Sequence, residues 1–202
     1  MPATEQAVGP YPTDRDLAEA LIAGRPEAFE PFVERFGPLI RAFGRRMCGH
    51  RDDADEVLQE TLLKAYKSLR RLRDPAALRT WVFRVAANAC LRMRRRGKDE
   101  PRQLLRLDEL VPRGSGDGTP ASIPDWSGLP LDRLLEKERS RLLERAIRTL
   151  PKDYRIVLLL RDQEGFDTRQ TAGILRISET LAKVRLHRAR LALRRELETR
   201  LT

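Results

Sequence analysis

The chain has 202 residues, 41% of them hydrophobic and 35% charged, with a formal net charge of +10. This fits one large or two small globular domains whose partner is nucleic acid or an anionic surface. It excludes a helical membrane span, because the longest apolar run, Ile156–Leu160, is far short of the roughly 20 residues required.

The first residues, "MPATEQAVGPYPTDRD", lack a basic start followed by an apolar core, so no secretory signal is expected. Two cysteines, Cys48 and Cys90, make no disulfide framework, and a reducing cytoplasm is the expected setting. Helix signals then dominate. Phe29, Phe32, Phe36, Ile40, Phe43 and Met47 share one face of a first long helix. Leu58, Leu62, Ala65, Leu69 and Leu72 are the expected buried face of the next, with Asp53 and Asp55 at its start, where negative charge suits the helix dipole. Asp74 is the expected N-cap of a third, with Pro75 in its first turn and Leu78, Val82, Val85, Ala89 and Met93 on its core face. Together these predict a helical module over Asp14 to Lys98.

Residues 99–130 break the pattern. They hold six acids against three arginines and the run "VPRGSGDGTPASIPDWSGLP", which reads as a flexible linker. Within it, "LVPRGS", Leu110 to Ser115, matches the thrombin recognition sequence used in expression vectors. An engineered cleavage point and chance in a Gly/Pro/Arg-rich linker both fit, and neither bears on function. Helices resume at about Leu131. An amphipathic segment precedes Pro151, which opens "PKDYRIVLLLRDQEG", closed by Gly165. Two more follow, over Thr168 to Leu175 and Ser178 to Arg200. No strand alternation or fixed-period repeat is visible, so the expected fold class is all-α: two small helical domains over 14–98 and 131–202 joined by a flexible linker.

The last two helices read as a helix-turn-helix. Ala172 is small where crossing helices approach, Ile174, Leu175 and Ile177 supply a seam, and Ser178 is a good N-cap. In such a motif the second helix enters the major groove with its N-terminal residues at the base edges. That puts Glu179, Thr180, Lys183 and Arg185 near bases and Arg188 and Arg190 near phosphates, with His187 in a DNA or packing role and Ser178 at the start of the same DNA-binding set. The turn places Arg176 where a left-handed backbone favours glycine, at a cost of roughly 1 kcal/mol. In the first module Trp81, Arg84, Asn88, Arg92 and Arg95 form a second stripe on one helix. Rings stack on unpaired bases, amides read base edges and cations hold phosphates. Asp53, Asp55, Glu56, Gln59 and Glu60, on the preceding helix, form an acidic and amide-rich patch that would repel DNA, which fits either a face for a protein partner or a solvated helix start.

These segments, in this order, resemble a bacterial sigma factor of the sigma-70 family, in its small extracytoplasmic-function (ECF) class. "DADEVLQETLLKAYKSLRRL" with "LRTWVFRVAANACLRMRRR" is similar to the class's region two, and "LPKDYRIVLLLRDQEGFDTRQTAGILRISETLAKVRLHRARLAL" to its region four. The resemblance implies that Asp55, Glu56, Gln59 and Glu60 dock on the clamp coiled coil of core RNA polymerase. It implies that Arg73, in the loop Arg70–Ala77, serves with Trp81, Arg84, Asn88, Arg92 and Arg95 at the melted non-template strand of the −10 element. The helix from Ser178 would read the duplex −35 element of promoter DNA, and "YRIVLLLRD" with its neighbours would meet the polymerase flap. An anti-sigma factor is a further implied partner. No membrane insertion, cofactor or metal is expected, since no P-loop, HExxH or paired CxxC occurs. An enzyme is therefore not expected. The alternative from the residues alone is a stand-alone helix-turn-helix repressor, which leaves the Trp81 stripe and the acidic patch without a task.

Overall fold

The computed structural model describes residues 10–93 and 132–201, without the side chains of residues 132–139 and 201. The expected linker, with Leu110–Ser115 inside it, and Arg95 lie outside the described residues. Every regular element among the described residues is helical: α1 (Asp14–Ile22), α2 (Phe29–Cys48), α3 (Arg51–Ser68), α4 (Leu78–Met93), α5 (Asp132–Thr149), α6 (Lys152–Leu158), α7 (Thr168–Leu175) and α8 (Glu179–Leu201). Contacts gather the chain into two units. Helices α1–α4 belong to the first, and α5, α6, α8 and most of α7 to the second. No described helix is long and apolar enough to cross a membrane.

In the first unit α1 starts with a capping box. The Thr13 hydroxyl accepts the Asp16 N–H at 3.1 Å, and the Asp16 carboxylate accepts the Thr13 N–H at 3.1 Å. Helix α2 supplies the core. Phe32, Phe36, Ile40, Phe43 and Met47 are buried as their spacing predicts, and Phe29 is half-buried at the start of the row. Each such side chain contributes roughly 1.5–3 kcal/mol on burial. Phe43 meets Phe83 of α4 edge to face, with ring centroids 5.5 Å apart. Gly49 ends α2 at φ +91°, and its N–H donates to the Arg45 carbonyl at 2.9 Å.

Helix α3 departs from the sequence expectation. Its buried seam is Ala54, Val57, Thr61 and Ala65, while Leu58, Leu62 and Leu72 are only half-buried. The cause is distance. A Cβ on Gly44 of α2 would stand 3.1 Å from the Ala54 Cα, so the two backbones nearly touch. Only small side chains fit such a crossing, and the leucines turn to the flanks. The buried Thr61 hydroxyl donates to the Val57 carbonyl at 2.7 Å, which leaves no orphan donor. Helix α4 follows a 3-10 turn, Pro75–Ala77, capped by Asp74, whose side chain accepts the Ala76 N–H at 3.0 Å. Its expected face is buried at Leu78, Val82, Val85 and Ala89, and Phe83, Ala86, Ala87 and Cys90 are buried as well.

In the second unit, Ile156–Leu160 are fully packed inside: none is more than 3% exposed. These apolar side chains of the "YRIVLLLRD" segment are core. Helix α6 runs on into a π-helical turn, Leu159–Gln163. Arg155 is buried among them, 4% exposed. Its guanidinium donates to the carbonyls of Ile147 (3.1 Å), Leu150 (2.7 Å) and Arg148, all at the end of α5. A helix end has unsatisfied carbonyls and negative dipole charge, and a cation there answers both. Replacing it with an apolar side chain removes a donor from each of these carbonyls, of which only that of Ile147 keeps a further one among the described residues, the Leu150 N–H at 3.3 Å. Arg155→Leu is expected to cost about 2–4 kcal/mol, read as a lower urea midpoint for the second unit. A midpoint equal to the parent's would show that the carbonyls find water instead.

Candidate nucleic-acid and protein-docking faces

The narrow seam of α3 leaves a broad outer face. Asp55, Glu56 and Gln59 are exposed there, and Glu60 is half-buried beside them. Two apolar residues that sequence reasoning passed over continue the row: Leu63, 52% exposed, and Tyr66, 73% exposed. The signal was present, since Leu63 and Tyr66 follow Gln59 at helical spacing, outside the leucine row taken for core. The Tyr66 ring is fixed by an edge contact to Phe29, centroids 5.5 Å apart. Asp55 accepts from Arg41 of α2 at 2.7 Å. Glu60 accepts from Arg92 of α4. Glu56, Gln59, Glu60, Leu63, Arg92 and Met93 together line a shallow groove of about 360 Å³.

On α4, Trp81, Arg84 and Asn88 are each half-buried, so all three keep a surface for contact. The Nε of Arg84 is buried without a hydrogen-bond partner among the described residues. Arg79 stacks over the Phe83 ring, 5.6 Å from its centroid. Arg73 is exposed on the loop before α4.

The α7–α8 turn has the expected geometry. Arg176 sits at φ +56°, the only non-glycine with positive φ among the described residues. The Ser178 hydroxyl accepts the Leu181 N–H at 3.1 Å, so it serves as the helix cap. Glu179, Thr180, Lys183 and His187 are exposed, and so are Leu181 and Val184 between them. Arg188 is half-buried. Two cations of this helix are held by carboxylates from outside it, and Arg194 and Arg200 by Glu198 and Glu196 of α8 itself. Arg185 donates to Asp153 at 3.0 Å, and Arg190 donates to both oxygens of Asp162 at 2.6 and 3.0 Å. The hydrogen bond to Asp162 raises the Arg190 pKa above the already high arginine range. A raised pKa keeps its stabilisation until pH climbs through the folded value, so this pair keeps its cation across the working range.

Residues 32–100 match the family model Sigma-70 region 2, and residues 140–193 match Sigma-70, region 4. The ECF RNA polymerase sigma factor SigM of Mycobacterium tuberculosis (strain ATCC 25618 / H37Rv) is 29% identical over 183 residues, which is 91% of this chain and 84% of SigM. The chain belongs to the ECF class of the sigma-70 family. Two solved structures share the fold of this sigma factor. CnrH in complex with the cytosolic domain of CnrY aligns at TM-score 0.64 and 23% identity, over 92% of this chain and 97% of CnrH. RpoE in complex with the anti-sigma factor NepR, from Bartonella quintana, aligns at TM-score 0.58 and 24% identity, over 84% and 96%.

The left-handed Arg176 gives the first prediction for these faces. Arg176→Gly removes a backbone cost of about 1–2 kcal/mol but loosens the unfolded chain by about 0.4–1 kcal/mol. The net expectation is a stabilisation of about 0.5–1 kcal/mol, seen as a raised thermal midpoint by circular dichroism. A lowered midpoint would mean that the Arg176 side chain itself holds the turn.

Proposed function

We propose that this ECF sigma factor binds core RNA polymerase through the outer face of α3, directs it to specific promoters, and opens them with the face of α4. The observation that carries this reading is the juxtaposition in one small unit of a carboxylate-rich face and a cation–aromatic face. A chain of net charge +10 has an electrostatic reason to put nucleic acid on its cations. It has none to collect Asp55, Glu56 and Glu60 on one exposed helix side, unless a basic protein surface meets them. Leu63 and Tyr66 extend that docking face with apolar area. Arg73, Trp81, Arg84, Asn88 and Arg95 then hold the melted non-template strand of the −10 element. Trp81 supplies a stacking surface there, worth about 1–3 kcal/mol per base. In the second domain, Ser178, Glu179, Thr180, Lys183, Arg185, His187, Arg188 and Arg190 face the duplex −35 element.

The domain limits that go with this reading are 14–98, 99–130 and 131–202, the middle segment being a linker. The protein works in the bacterial cytoplasm and catalyses no reaction of its own; the chemistry belongs to the polymerase. An anti-sigma factor is a further partner in this reading; RpoE, which shares the fold, was solved in complex with one, NepR. A stand-alone repressor would leave α3 and α4 without a task, and matches to both sigma regions in order argue against it.

Two substitutions test the division of labour. Glu60→Lys is expected to abolish binding to core polymerase in a fluorescence titration, with an unchanged circular dichroism spectrum. Normal affinity would remove the docking assignment. Trp81→Ala is expected to slow promoter opening by about tenfold or more, the rate equivalent of losing one stacked base, while recruitment to closed complexes stays near the parent level. Equal loss of both would make Trp81 a packing residue.

A further inference from the structure

By sequence Arg92 belongs with Trp81, Arg84 and Asn88, the DNA-facing row. In the folded unit its guanidinium instead meets the Glu60 carboxylate of α3, and Arg92 and Met93 form the α4 wall of the groove whose other wall is Glu56, Gln59, Glu60 and Leu63. Trp81 lies three turns earlier on α4, roughly 16 Å along the axis. A phosphate brought to Arg92 would come up against Glu60 and Glu56 at close range. The groove holds two carboxylates against one guanidinium, and that guanidinium is already paired. Its electrostatics suit a basic protein surface and oppose a nucleic acid.

We infer that Arg92 is a positioning residue of the protein-docking groove: it fixes the Glu60 carboxylate and, with Met93, extends the docking surface from α3 onto α4. The inference rests on the docking reading of α3. The occupant is a surface of core polymerase that offers cations to Glu56 and Glu60 and an apolar side chain to Leu63 and Met93. Holding Glu60 before contact spares the rotamer freedom that an unpaired glutamate loses on binding. It also removes Arg92 from the set of phosphate contacts.

The test is a titration of core polymerase with full-length parent, Arg92→Ala and Arg92→Lys, reading promoter opening up to saturation. Arg92→Ala is expected to raise the half-saturation concentration by about fivefold, the ratio that corresponds to an exposed ion pair. Arg92→Lys recovers most of this, and all three proteins reach the same plateau. An unchanged half-saturation point overturns the inference. So does a plateau that stays low at saturation, because Arg92 then serves the DNA, or a thermal midpoint that falls with affinity and is not rescued by lysine. Glu60→Lys separates this from the parent reading. If it too binds polymerase normally, the docking face itself is wrong; if it fails to bind while Arg92→Ala binds normally, only the role of Arg92 is wrong.

Discussion

The close approach of α2 and α3 at Gly44 and Ala54 governs the N-terminal unit. Two backbones that nearly touch admit only alanine, valine and threonine in the seam. A narrow seam uses little of the circumference of α3. The rest of that helix, from Asp55 to Tyr66, is left on the outside with its carboxylates, amide and apolar ends in one row. A broad leucine seam would have buried that row's neighbours deeper and pushed α3 away from α2. The face proposed for docking is thus a consequence of how tightly the unit packs.

The second constraint is charge. Cations outnumber acids by ten in this chain, 40 Lys and Arg against 30 Asp and Glu, yet the structure does not spread them evenly. Asp153 and Asp162 each hold an arginine of α8, and Glu60 holds Arg92 of α4. Such pairs are partly exposed and worth little as stability. Their value lies in orientation, because a guanidinium held by a carboxylate points in one direction before any partner arrives. Exposed Lys183, His187 and Arg195, and half-buried Arg188, are among the less constrained groups of α8. In the proposed reading, separating acidic and basic faces keeps polymerase and DNA from competing for one surface.

Much of this was legible in the sequence. The row Phe32, Phe36, Ile40, Phe43 and Met47 has helical period and is buried as spacing demands, because large side chains dominate that face. The Asp74 and Ser178 caps and the left-handed Arg176 follow from local backbone chemistry, which needs no tertiary information. The α3 seam was misread because hydropathy ranks leucine above alanine, whereas a tight crossing ranks by size. The exposure of Leu63 and Tyr66 follows from that same rotation. The pairings of Arg92, Arg185 and Arg190 were hidden, because each joins residues about thirty positions apart through packing that no local pattern encodes.

The central claim is that this chain acts only as part of a polymerase. Run-off transcription with purified core polymerase, on fragments of upstream bacterial DNA with and without the protein, tests it most directly. The account predicts discrete transcripts that need both components, with start sites at fixed distances from shared −10 and −35 elements. Transcripts that are the same with and without the protein, together with no polymerase retained in a pull-down, would contradict it.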